Sequence, residues 1–402
     1  MRMSKKKEIV PKFRFPEFQR DGIDFVHGNK LFKSITNKNH NSDLPILAIT
    51  QDQGAVPREQ IEYNVTVTDK SLSNYKVVEV GDFIISLRSF QGGIEYSRFK
   101  GICSPAYIIL RKRGENISEL YYKYFFKTWR YIQSLNRNLE GIRDGKMISY
   151  SQFSSVKVPY PRSFKEQQKI ADCLSSIDEL IDAENRKLKA LEKYKKGLMQ
   201  KLFPAEGKIL PEWKFPEFRG KSEWRIKPLG KICTNYDSRR IPITEKDRVK
   251  GEIPYIGASG VIDYINDFIF DEDLLCVSED GANLVARTYP IAFSISEKTW
   301  VNNHAHVLKF SHKYTQDIVE SYLNMINLQD FLTGMAQPKL NRAKLDIIPI
   351  PLPEEEEQQK IAGCLSDVDT MITEQSNKVE QLKAHKKGLM QGLFPSLEEA
   401  DV

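Results

Sequence analysis

The sequence predicts an α+β protein: two mixed α/β blocks separated by two long helices, which pair within the chain as an antiparallel coiled coil in a pseudo-twofold internal repeat. Three observations predict it. Residues 166–204, EQQKIADCLSSIDELIDAENRKLKALEKYKKGLMQKLFP, return without a gap as residues 357–395, EQQKIAGCLSDVDTMITEQSNKVEQLKAHKKGLMQGLFP. Each copy carries apolar residues at alternating steps of four and three, the mark of a helical seam. The stretches between, 21–140 and 221–333, have similar lengths and little shared identity.

A short entry segment opens each half. Pro11-Lys12-Phe13-Arg14-Phe15-Pro16-Glu17-Phe18 returns as Pro211-Glu212-Trp213-Lys214-Phe215-Pro216-Glu217-Phe218. Another weak match, Gly141 to Pro161 against Gly334 to Pro353, precedes each long repeat and aligns Lys146 with Lys339. The expected divisions are therefore a first block at 1–162 (entry segment 10–19), a first spacer helix at 163–206, a second block at 207–353 (entry segment 210–219), a second spacer helix at 354–396 and a tail at 397–402.

Within the first block, Leu44–Ile49, Tyr75–Val80, Asp82–Leu87 and Ala106–Leu110 read as strands, followed by a helix over Ser118–Leu135. Ile253–Ile256, Leu274–Val277, Ile291–Ile295 and Ala305–Phe310 do the same in the second, before a helix over Tyr314–Thr333. The first seam runs through Ile170, Leu174, Ile177, Ile181, Leu188 and Leu191 and on to Leu198 and Leu202. The second runs through Ile361, Leu365, Val368, Ile372, Val379 and Leu382 and on to Leu389 and Leu393. Each seam is about five heptads long and cannot bury itself, so the other copy is its economical partner. Packing of each helix on its own block is the other reading of the pattern. For antiparallel helices, placing Glu184 opposite Lys386 and Lys195 opposite Gln375 sets each interruption of one seam against one of the other.

Composition narrows the function. The net charge of +6 and pI of about 8.8 permit a nucleic-acid partner without demanding one. Five scattered cysteines with no C-x-x-C pair read as reduced, buried thiols of a cytoplasmic protein, and Met1–Pro11 lacks the apolar core of a signal peptide. Gly220-Lys221-Ser222 mimics the end of a phosphate cradle, but Phe215 stands where its first glycine belongs. No amino-methyltransferase tetrapeptide (N-P-P or D-P-P before an aromatic) and no nucleophile elbow is found. His304-Ala305-His306 is a lone pair of histidines in a strand-like stretch, and no shared metal is expected there. No catalytic, cofactor or metal site is expected.

Polar, glycine-bearing loops follow strands in both blocks. Arginine can bridge guanine, glutamine or asparagine can bridge adenine, and carboxylates accept from cytosine. On that chemistry the candidate base-reading residues are Gln51, Gln53, Arg88, Ser89 and Gln91 in the first block, and Ser259, Ser278, Asp280 and Asn283 in the second. Lys146, Gln337 and Lys339, from the segments before each long repeat, are further candidate DNA contacts. Lys100, Arg111, Lys112, Arg113, Arg239, Arg240, Lys339 and Arg342 are candidate phosphate contacts, each with a plain alternative as solvated surface charge.

An FPEF entry, a variable block, and a helix beginning EQQKIA and ending KKGLMQxLFP, all repeated, resemble the specificity subunit of type I restriction–modification systems over essentially the whole chain. The resemblance implies that each block is a target-recognition domain for one half of a bipartite double-stranded DNA site. It implies that the helices act as spacer and docking surface for two modification subunits, with restriction subunits as further partners. S-adenosylmethionine, ATP and magnesium would belong to those partners. The alternatives are a non-catalytic scaffold for protein or RNA, and a fragment of a nuclease or methyltransferase.

Overall fold

The computed structural model describes residues 10–41, 43–61, 72–137, 148–205, 207–221, 224–334 and 337–395. The chain forms two compact units, one of residues 1–184 with 378–402, the other of residues 185–377. Each unit holds one variable block, the first half of the helix that follows it, and the second half of the other long helix. The boundaries thus cut both helices instead of leaving them as separate segments.

In the first unit, an antiparallel sheet has the order Phe32–Ile35, Ile108–Lys112, Phe83–Ile85, Glu95–Tyr96. The strand Ile23–His27 pairs with Lys157–Pro161 and closes the block, bringing its entry beside its exit. The core is aromatic: Phe32, Phe83, Tyr122, Phe126 and Phe153 meet at ring separations of 5.1–6.3 Å. The expected helix over Ser118–Leu135 is two helices, Glu119–Phe125 and Trp129–Arg137. The break has a local cause, because the Thr128 hydroxyl donates to Phe125 O at 2.7 Å and competes for a carbonyl at the helix end.

In the second unit the sheet order is Thr234–Asn235, Ala305–Lys309, Leu274–Ser278, Ala292–Ile295. Strand for strand this repeats the first block, with Arg225–Pro228 and Pro349–Leu352 closing it in the same way. Two blocks of little common sequence share one topology. The expected helix over Tyr314–Thr333 ends at Met325, where Ile326 turns extended, and a single 3₁₀ turn follows at Gln329–Phe331.

The long helices are Phe164–Leu202 and Glu355–Leu393, and acidic first-turn residues suit the positive end of each backbone dipole. In the first unit Asp178 meets Lys386 at 2.5 Å and Glu184 meets Lys378 at 2.6 Å, so numbers rise along one helix as they fall along the other: the pair is antiparallel. In the second unit Lys195 meets Asp369 at 2.5 Å, the same bridge between equivalent residues. The expected register, Glu184 against Lys386 and Lys195 against Gln375, is corrected by six to eight residues, about 9–12 Å of helix. A seam of period seven leaves slips of one heptad nearly degenerate; opposite charges beside the seam choose among them.

The seam faces inward. Ile170, Leu174, Ile181, Ile361, Leu365, Val368 and Val379 are buried, and Ile177, Leu188, Leu191, Ile372 and Leu382 are half-buried. Its ends also enter the block cores: Ile170 and Leu174 in the first, Ile361 and Leu365 in the second. Both sequence readings of the seam therefore hold at once, helix on helix and helix on block. The EQQ start of each repeat is a clamp. Glu166 takes Arg14 at 2.7 Å and Glu357 takes Lys214 at 3.2 Å, fastening each helix to an entry segment. Beside them Gln167 bonds Ser118 N and Pro161 O, and Gln358 bonds Thr315 Oγ1 and Pro353 O. The far end is capped by the same segments, where Phe13 N donates to Gly392 O at 2.8 Å and Trp213 N to Lys201 O at 2.9 Å.

Candidate nucleic-acid interface

In the first unit two polar loops are presented at the ends of strands. The hairpin Leu47–Thr50/Gly54–Pro57 turns through Gln51–Gln53, with Thr50 Oγ1 accepting from Gln53 N and Gly54 at φ +78° completing the turn. Gln51 and Gln53 are exposed. The second loop leaves the strand Phe83–Ile85 and makes one helical turn at Ser89–Gly92. Arg88 and Gln91 face solvent there. Ser89 does not: it is 1% exposed and its hydroxyl accepts from Ser86 N at 2.9 Å, so it shapes the loop and is corrected as a base contact. Lys146 lies outside the described residues.

Two residues that patterning did not single out hold these loops. Lys127 donates to Gln51 O, to Gly92 O and to Glu95, whose side chain is 2% exposed. Burial raises the Glu95 carboxyl to about 6, against the pull of the lysine. The only sequence signal was a charged residue in each of two apolar contexts.

In the second unit, Ser259 is exposed in the turn between Lys250–Gly257 and Gly260–Ile265. Ser278 is 1% exposed and donates to Ala258 O at 2.5 Å. Asn283 is buried, its amide oxygen taking Thr288 N and its nitrogen donating to Tyr289 O. Both are corrected from readers to supports: Ser278 ties the strand end to the neighbouring turn at Ala258, and Asn283 satisfies the backbone of its own turn. Asp280 accepts from His304 at 2.8 Å and pairs by backbone with Lys339. Gln337 and Lys339 are exposed on the same surface, and Lys339 reaches Glu279 at 3.2 Å.

Behind this loop lies a buried charge cluster. Arg240 donates to Glu279 at 2.8 Å and to Ala305 O at 2.7 Å. Burial works against the charge of Glu279, yet Arg240, His306 and Lys339 hold its carboxyl below the usual value. His306 spans Asp237, at 2.6 Å, and Leu340 O, at 2.7 Å. Asp237 is likewise held low against burial by His306, Val307 N and Asn235. The two histidines have separate carboxylate partners, Asp280 and Asp237: His304 lies in the turn before the strand Ala305–Lys309 and is exposed, and His306 lies within the strand and is buried.

The candidate phosphate contacts are not bare charges. Arg111 forks onto Asp82 at 2.7 Å for both bonds, and Arg113 donates to Asn29 O. Lys100, Lys112, Arg239 and Arg342 pair with Glu79, Glu119, Glu272 and Asp346.

Two blocks of common topology carry unlike polar loops, and the model of the type I restriction modification DNA specificity domain matches residues 21–193 and 221–384. The chain belongs to that family. Its two specificity domains take in the variable blocks and most of both long helices.

Among curated relatives, the chain is 25% identical over 351 residues to the type I restriction enzyme MjaVIII specificity subunit of Methanocaldococcus jannaschii, covering 81% of this chain and 80% of that protein. It is 33% identical over 153 residues to a protein of Haemophilus influenzae described as a type I restriction enzyme specificity subunit, covering 38% of this chain and 39% of that one. The S subunit structure from M. genitalium covers 97% of this chain and 100% of its own at a TM-score of 0.60 and 15% identity. A chain from a study of type I R-M complex assembly and conformational transition covers 93% and 98% at 0.57 and 15%. These structures share the fold of the specificity domains described above.

Proposed function

We propose that this chain is the DNA-reading, non-catalytic subunit of a type I restriction–modification complex. Each block reads one half of a split double-stranded site, and the helices set the unread gap and dock two modification subunits. One observation carries the reading: a single strand order appears twice, joined to helices that repeat each other without a gap, while the loops at the strand ends differ. Constant scaffolds with divergent loops suit two readers of unlike sequences.

Direct readout needs exposed donors and acceptors at base edges. Gln51, Gln53, Arg88 and Gln91 offer them in one unit, and Ser259, Gln337 and Lys339 in the other. A helix of 39 residues is about 58 Å long, enough to bridge half-sites one turn apart, whose centres lie about 35 Å from each other. S-adenosylmethionine, ATP and magnesium fall to the partner subunits in this proposal, and restriction subunits join as further partners in a cytoplasmic assembly.

Adenine-methylation mapping of a host genome with and without this chain tests the reading, and a methylated split motif that depends on the chain is expected. Replacing residues 221–333 by another variable block should change one half of the motif alone. Adding one heptad between Leu188 and Leu191, with its equivalent in the other helix, should lengthen the gap and leave both halves unchanged. Absence of any chain-dependent motif would sink the proposal.

A further inference from the structure

The two loops of the first unit stand on one ammonium group. Lys127 occupies the break between the helices Glu119–Phe125 and Trp129–Arg137, which releases its side chain toward the loops. An ammonium has three protons. Here they go to Gln51 O at 3.0 Å, to Gly92 O at 3.0 Å and to the Glu95 carboxylate. Two of the acceptors are main-chain carbonyls from two separate loops, so a movement of either loop breaks a bond to the same atom.

The loops also touch directly. A side chain at position 92 would begin 2.8 Å from the Gln51 side chain, which would have to move aside. At position 93 the backbone is at φ +87°, and an added carbon would sit 2.2 Å from Phe126 O. Asn136 ties the same turn from behind by donating to Phe90 O at 2.8 Å. A cleft of about 610 Å³ opens beside this junction, lined by Gln51, Gln53, Glu95, Tyr96 and Lys127 among others. Glu95 is the buried counter-ion that lets a full positive charge sit against two carbonyls.

We propose that Lys127, held by Glu95, is a positioning residue for DNA reading by the first unit. It fixes the turn bearing Gln51 and Gln53 against the turn bearing Arg88 and Gln91, so that base edges meet one two-loop surface of set geometry. The proposal rests on the DNA-reading function above. Base discrimination depends on side chains held close to their productive geometry. The second unit supports its loop with Arg240, Glu279, His306 and Asp237 instead, so the effect of Lys127 is confined to one half-site.

The test uses the full chain assembled with its modification subunits and a DNA library randomised at both half-sites, with methylated molecules sequenced. Lys127→Met should lower discrimination at least tenfold at one half-site and leave the other as in the wild type. Lys127→Arg, which keeps charge and several donors, should recover part of it. Wild-type selection at both half-sites in Lys127→Met overturns the proposal, as does equal loss at both with an unchanged unfolding midpoint. If Lys127→Met does not fold, Glu95→Gln keeps the lysine and both carbonyl bonds. It should weaken selection at the same half-site, and unchanged selection at both would overturn the proposal. A wild-type complex that selects no sequence would instead defeat the DNA-reading function itself.

Discussion

At the start of the first long helix, Glu166 is fully buried and accepts two bonds from Arg14, at 2.7 and 2.9 Å. Charges this far from water are tolerated only as a satisfied pair, and removing one partner strands the other. Glu166→Ala should therefore cost about 3–5 kcal/mol in denaturant unfolding of the first unit. A loss under about 1 kcal/mol would show that Arg14 finds water. The buried Glu95 makes a prediction in pH. Its carboxyl is raised to about 6 in the folded protein, so the fold holds a proton that the unfolded chain gives up nearer 4.5. Its contribution to stability is then full below about 4.5, falls as pH rises to about 6, and stays low above. Thermal unfolding of wild type and Glu95→Gln should show the difference moving in the wild type's favour from pH 7 to pH 5. An unchanged difference would mean that the carboxyl titrates normally.

Among elements, the long helices show how charge settles what periodicity leaves open. Asp178–Lys386 and Asp369–Lys195 are equivalent bridges, and the first is three-quarters buried on both sides. Lys386→Glu should place two carboxylates together and destabilise the first unit by about 0.5–1 kcal/mol, the scale of a partly solvated pair. Adding Asp178→Lys should restore most of it, read as coupling in a double-mutant cycle of melting temperatures. Leu174→Ala, at a fully buried seam position shared with the block core, should cost more, about 2–5 kcal/mol by urea unfolding. The seam was legible because a/d spacing is a one-dimensional signal. The register was not, because it depends on residues that meet only when the helices do. The two-part helix near residue 127 escaped for a similar reason, since Thr128 ends the first helix through a hydrogen bond that composition does not reveal.

Across the whole molecule, the repeat itself was readable from identity alone, and the shared topology of the blocks was not. Strand order is set by pairing across distance, so the equivalent places of Ala305–Lys309 and Ile108–Lys112 in their sheets cannot be read from such short stretches alone. The candidate readers divide along the same line. Gln51, Gln53, Arg88 and Gln91 were found by residue type and face solvent, whereas Ser89, Ser278 and Asn283 look alike in sequence and turn inward to bond backbone groups.

The composition of the units also orders events during synthesis. Residues 185–377 form one unit from a continuous stretch, while the other needs residues 378–395 to reach back to residues made hundreds of codons earlier. Until Leu393 and Phe394 emerge, Tyr121 and Phe125 lack the ring that packs at 5.1 and 5.7 Å, and Phe13 N lacks its acceptor, Gly392 O. The first unit translated is thus the last to close. Pulse proteolysis of ribosome-bound chains of increasing length should find residues 185–377 protected before residues 100–160. The reverse order would mean that the aromatic core holds without its distant final turn.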